Sequence, residues 1–177
     1  MGKRYVWLCV CCCAFSLVCG ANEGMPWEEI PDGVIKGFYD NGVLRHETPF
    51  RGGEKDGLER HYYENGVLRA ETPYKEGKQE SIRKIYYENG MVHSETPYEG
   101  GLREGVAKGY DESGILRLEI PYHLDKLHGT YKGYEQNGNI IEEILYRANR
   151  AIQEKGYKNG ELIWEVFHEN VKRKKAQ

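Results

Sequence analysis

The chain has 177 residues, 30% of them charged, with a formal net charge of −3 and a pI near 6.1. So mixed and mildly acidic a composition excludes nucleic acid as the main partner, because that binding needs a basic stripe to neutralise many phosphates. All five cysteines, Cys9, Cys11, Cys12, Cys13 and Cys19, sit near the N-terminus. The remainder therefore has no disulfide framework, no thiolate chemistry and no cysteine-held zinc.

Residues 1–21 have the three-part shape of a secretory signal peptide: Lys3 and Arg4, an apolar run from Tyr5 to Val18, then Gly20 and Ala21. The run is too short to span a bilayer comfortably. The expected destination is outside the cytoplasm: periplasmic, envelope-attached or extracellular. Cys19 is the candidate for lipidation and the one route to a membrane, although Ser16-Leu17-Val18-Cys19 matches a lipobox poorly, with Ser16 where leucine is usual and Val18 where a small residue is. Residues 22–33, with Pro26, Trp27, Pro31 and Gly33, have no clear period and read as a linker and N-terminal cap.

Residues 34–168 form an array. A turn glycine recurs as Gly42, Gly66, Gly90, Gly114 and Gly138, each 24 residues after the last, and a sixth copy centres on Gly160. Self-similarity at a fixed period marks a repeat architecture, in which each unit leans on its neighbours. Phe38, Tyr62, Tyr86, Tyr110 and Tyr134 stand four places before the glycine, and Leu44, Leu68, Val92, Leu116 and Ile140 two places after it. Short aromatic and branched runs punctuated by Asn-Gly predict one β-hairpin per unit.

Two registers fit. A two-residue Asn-Gly turn would set Lys36, Arg60, Lys84, Lys108 and Lys132 opposite Glu47, Glu71, Glu95, Glu119 and Glu143. A three-residue turn, with glycine in a left-handed bulge, would set Tyr62 against Leu68 and Val34 against Thr48. A half-buried side chain is worth about 1 to 2 kcal/mol against a few tenths for an exposed ion pair, which favours the bulged turn and leaves the Lys and Glu series as flanking, solvated charges. Pro49, Pro73, Pro97 and Pro121 cannot donate to a ladder, so the second arm should end there or lie at an edge. A second turn follows each, Gly-rich at first and later Leu124-Asp125-Lys126 and Ala148-Asn149-Arg150. The last copy drifts, with Glu161, Trp164 and Phe167, and reads as an end cap; residues 169–177, which include Lys172-Arg173-Lys174-Lys175, read as a basic flexible tail.

The predicted fold is all-β: an elongated antiparallel meander of about six tandem 24-residue hairpins. The unit from Gly57 to Tyr74 and its siblings resembles the MORN-repeat variant of bacterial proteins labelled YwqK-family toxin-antitoxin antitoxins, over about residues 33–168. That resemblance implies stacked hairpins and a non-enzymatic, protein-binding role.

No catalytic constellation is present: there is no G-x-S-x-G, no P-loop and no dinucleotide fingerprint, and a glutamate repeated in every unit suits structure better than acid-base catalysis. No catalytic residue, cofactor or metal site is expected. Tyr39, Tyr63, Tyr87 and Tyr157, three places before the glycine, are the candidate binding strip, interrupted by Asp111 and Glu135; half-buried sheet packing is the other reading of the same column. The expected partner is a protein, with self-association through an edge strand as a further option.

Overall fold

The computed structural model describes residues 32–168. The leader at 1–21, Cys19, Trp27 and the tail at 169–177 lie outside the described residues. Within them every element is a strand: β1 (Gly33–Phe38), β2 (Leu44–Arg51), β3 (Glu54–Lys55), β4 (Gly57–Tyr62), β5 (Leu68–Lys75), β6 (Lys78–Gln79), β7 (Ser81–Tyr86), β8 (Val92–Glu99), β9 (Leu102–Arg103), β10 (Gly105–Tyr110), β11 (Leu116–His123), β12 (Lys126–Leu127), β13 (Gly129–Tyr134), β14 (Ile140–Arg147), β15 (Arg150–Lys158) and β16 (Glu161–Phe167). They make one antiparallel sheet in which the long strands follow sequence order from β1 to β16. Six hairpins, β1–β2, β4–β5, β7–β8, β10–β11, β13–β14 and β15–β16, therefore lie side by side, as the 24-residue period predicts.

The first five hairpins close on a three-residue turn. The N–H of Tyr39 donates to the Val43 carbonyl at 2.8 Å and that of Gly42 to the Tyr39 carbonyl at 3.0 Å, while Gly42 takes a φ of 83°. Such a φ suits glycine, which has no Cβ to collide with its own backbone. The asparagine before it caps the turn: Asn41 Oδ1 accepts the Val43 N–H at 3.0 Å, and Asn65 Oδ1 the Val67 N–H at 2.9 Å. In the fourth unit, where Ser113 stands instead, Asp111 Oδ1 takes the N–H groups of Ser113 and Ile115.

Both candidate registers occur in the same hairpin. Next to the turn Tyr62 faces Leu68, and one step further His61 faces Ala70 and Arg60 faces Glu71, because Arg69 is an extra residue on the second arm. This β-bulge repeats in each hairpin and returns the outer arm to the other register. Val34 consequently faces Pro49 rather than Thr48.

The bulge also corrects the expectation for the charges. Lys36, Glu47, Arg60, Glu71, Lys84, Glu95, Lys108, Glu119, Lys132, Glu143, Lys155 and Glu165 follow one another across successive long strands, an alternating row from one edge of the sheet to the other. Lys36–Glu47 closes to 3.6 Å, Arg60–Glu71 to 3.2 Å and Lys84–Glu95 to 3.3 Å. Exposed pairs of this kind contribute only about 0.2 to 1 kcal/mol each, so the row fixes register more than it adds stability.

The prolines do not end their strands. β2 runs through Pro49 to Arg51. The Pro49 carbonyl accepts the Asp56 N–H at 3.1 Å, and since a strand residue's N and C=O point the same way, the missing donor faces the break between β3 and β4. Where Leu145 replaces proline the partner strand does not break, and β15 runs unbroken from Arg150 to Lys158. The second turns are two-residue turns with both residues at positive φ, Gly52 (58°) and Gly53 (80°) for example. Leu124 (48°) with Asp125 (64°) and Ala148 (50°) with Asn149 (68°) adopt the same turn without glycine. Their backbone is held from the unit before: Asp125 N–H donates to the Arg103 carbonyl at 3.1 Å and Asn149 N–H to that of Leu127 at 2.9 Å.

A single sheet has no second layer to bury against, and it shows. Among the described apolar side chains only Ala70, Ala107 and Pro121 are buried, none of them large. Stability must come from cross-strand and inter-hairpin contacts between half-buried neighbours. The closing strand β16 is the edge of the sheet among the described residues: all seven of its residues are exposed, Phe167 at 63%, while the Trp164 ring lies over buried Gly156 of β15.

Candidate functional site

Side chains alternate between the two faces of a strand, so each column of the repeat belongs to one face. The ladder face carries the alternating charges and the residues four places before the turn glycine. There each tyrosine hydroxyl donates to the glutamate of the preceding unit: Tyr62 to Glu47 at 3.1 Å, Tyr86 to Glu71 at 2.9 Å, Tyr110 to Glu95 at 3.0 Å and Tyr134 to Glu119 at 2.7 Å. Phe38, which has no unit before it among the described residues, lacks the hydroxyl.

The groove face carries two shallow, open depressions of about 490 and 570 Å³. The first lies over hairpins three and four, among Tyr87, His93, Arg117 and Tyr122; the second lies over hairpins one and two, among Tyr39, Arg45, His46, Glu59 and Arg69. Of the strip residues, Tyr39, Tyr63 and Tyr87 come together on this face. Each is half-buried, and each lies across the sheet to donate its hydroxyl to the next hairpin: to the Tyr62 carbonyl at 2.7 Å, the Tyr86 carbonyl at 2.7 Å and the Tyr110 carbonyl at 2.8 Å. These rings lace neighbouring units while leaving part of their surface open.

Tyr157 does not join them. The last hairpin closes on a two-residue turn, Lys158 pairing Glu161 with Asn159 at a φ of 54° and Gly160 at 80°. One residue fewer in the turn shifts the count from the glycine, so Tyr157 faces Leu162 and donates to Glu143 at 2.7 Å on the ladder face.

Two features of the groove face were missed in the sequence. Glu59, buried at 7% exposure, accepts from Thr48 Oγ1 at 3.0 Å and pairs with Lys55 Nζ at 2.7 Å, with His61 Nε2 3.6 Å away. Burial opposes its charge, but the bonds from Lys55 and Thr48 outweigh it and hold the carboxyl below its usual range. His61 stacks on His46 at 5.7 Å, and burial, then the neighbouring Arg45, pushes the His46 imidazole below its ordinary value. The knot is a satisfied ion pair, and no group of three metal-ligating side chains forms among the described residues. The second feature is the bulge residue. Three places after the turn glycine the chain reads Arg45, Arg69, His93 and Arg117, then Ile141 and Ile163. The same column count that found the tyrosines would have found it.

Burial and the bond to Glu71 push the Tyr86 hydroxyl up to about 12; burial and Glu119 do the same for Tyr134. An unfolded tyrosine ionises near 10, so this stabilisation is whole below about pH 10 and is lost as pH rises through about 12. Tyr86→Phe with Tyr134→Phe should cost about 1 to 2 kcal/mol at pH 7 and should flatten the alkaline loss of stability, followed by urea unfolding from pH 8 to 12. An alkaline limb as steep as the parent's would show that these hydroxyl–carboxylate bonds do not hold in solution.

A family model described as MORN repeat variant matches residues 31–51, 55–76, 79–99, 103–123 and 127–148, more than half of the chain. No individual curated protein matches the sequence significantly. The five matched segments fall on the first five hairpins, and the sixth, with its shorter turn, lies beyond them. By turn, register and period, this chain belongs to the MORN repeat variant family.

Proposed function

We propose that this protein is an exported, non-enzymatic binding or scaffolding module of the cell envelope, which holds a protein partner against its groove face. The observation that carries the reading is that face itself: a continuous surface over four hairpins with open depressions, part-exposed rings at Tyr39, Tyr63 and Tyr87, and cations beside them. Membership of a repeat family commonly used for binding supports it. A benzophenone amino acid placed at exposed His93 should give a covalent adduct with the partner in cells, and one placed at exposed Lys36 on the ladder face should not. Equal adducts from both positions, or none, would sink the reading. Cell fractionation tests export: protein confined to the cytoplasm with its leader intact would remove it. That result would favour the alternative, an antitoxin-like protein that neutralises a toxin through the same face.

Self-association is a second reading, favoured by β16. It exposes Ile163, Trp164, Val166 and Phe167 beside backbone that is unpaired among the described residues, the arrangement that recruits another strand. Continuation onto β1 of another copy would place Phe38 where every other unit has a tyrosine bonded to a preceding glutamate. A head-to-tail contact would lack that link but would continue the alternating charge row from Glu165 onto Lys36.

A further inference from the structure

Resting on the binding reading, we propose that the groove face of the first four hairpins binds an extended acidic peptide running across the strands, with its carboxylates on Arg45, Arg69, His93 and Arg117. All four occupy the bulge position of successive hairpins, where the extra residue turns its side chain out of the ladder. Arg45, Arg69 and His93 are exposed and Arg117 is half-exposed. None of them enters an ion pair among the described residues, whereas on the ladder face Lys36, Arg60, Lys84 and Lys155 do and Lys108 and Lys132 do not. On a chain of net negative charge this row is a local inversion that the fold leaves without a partner.

The carboxylates that share the face do not neutralise it. Glu59 is engaged by Lys55 and Thr48, and Asp111 is tied to the N–H groups of its own turn. The row also ends abruptly: Ile141 and Ile163 take its place in the last two hairpins, which marks where the charged part of the ligand should end.

Spacing and flanking charge choose among anions. Equivalent residues of neighbouring hairpins are two strands apart, about 10 Å, and a peptide in the extended polyproline II conformation rises about 3.1 Å per residue with three residues per turn, so every third side chain points the same way and meets one of the four bulge side chains. Nucleic acid carries a phosphate about every 3.4 Å along each strand, far denser than this row can match. The turn tips beside the row carry exposed Asp40, Glu64, Glu88 and Glu112, which repel a uniformly charged polyanion or a flat anionic bilayer. A peptide can alternate acidic with neutral or basic residues and satisfy both rows. The part-open rings of Tyr39, Tyr63 and Tyr87 lie beside the bulge side chains, with Tyr87 edge-on to His93 at 4.7 Å, and give the intervening side chains an apolar surface.

The test is fluorescence anisotropy of the full-length protein with a labelled dodecapeptide carrying glutamate at every third position. Binding should weaken by about tenfold in Arg45→Gln, Arg69→Gln, Arg117→Gln, and by less than about twofold in Lys36→Gln, Lys132→Gln on the ladder face. Arg-to-Lys replacement at the three positions should retain most of the affinity, and a peptide of the same composition with its glutamates contiguous should bind less well. Equal losses from the two faces, no preference for the spaced peptide, no binding to it, or tighter binding of a single-stranded oligonucleotide or phosphatidylglycerol vesicles would each overturn the proposal. A partner adduct at position 93 together with any of these results would leave the binding reading standing and remove only the acidic strand.

Discussion

Replacing Tyr63 and Tyr87 together by alanine should lower stability by about 3 kcal/mol and the melting temperature by about 10 °C. Each ring is half-buried across the junction between two hairpins, and each hydroxyl satisfies a carbonyl of the next one. Removing both deletes apolar contact and leaves two part-buried acceptors with poorer partners. The phenylalanine pair keeps the contact and loses only the bonds, so it should cost about 1 to 2 kcal/mol. Thermal unfolding of the two variants beside the parent separates ring from hydroxyl. An alanine pair that melts within about 2 °C of the parent would show that these rings do not tie the units together.

Gly90→Val should cost about 2 to 3 kcal/mol and should be felt beyond its own hairpin. Gly90 sits at a φ of 84° with open space around the place a Cβ would occupy, so the penalty lies in the backbone and not in a collision. Asparagine, which tolerates that conformation, should cost less. β7–β8 is bonded to both neighbours, through Tyr63 and Glu71 on one side and through Tyr87 and Asn89 on the other. Loosening it should therefore raise amide hydrogen exchange in β4–β5 and β10–β11 as well. Exchange that rises only within β7–β8 would contradict nearest-neighbour coupling.

The hairpins, their order and their turns were legible because Asn-Gly and the 24-residue period state them outright. Register was only half legible. The glycine bulge and the extra residue at Arg69 displace the two arms in turn, so a side-chain argument for either register alone meets evidence for the other. Tyr157 was assigned to the groove strip by counting from the glycine, a count that holds only while the turn keeps its length. The turns at Leu124 and Ala148 could not be typed from composition, because their conformation is imposed by bonds from the preceding unit. On the groove face the tyrosine column was found, but the cations beside it were passed over, since single charges at 24-residue intervals look like ordinary solvated surface until a bulge lines them up.

The near absence of a buried interior has a thermal consequence. The heat-capacity increment of unfolding grows with the apolar surface that becomes hydrated, typically about 12 to 15 cal/mol/K per residue. Here Val34, Ile82, Val106, Leu162 and others already meet water in the native state, and among the described apolar side chains only Ala70, Ala107 and Pro121 are hidden. The increment should therefore be small, and the free-energy curve shallow, so that warming or cooling by tens of degrees changes its margin less than it would for a globular domain of equal length.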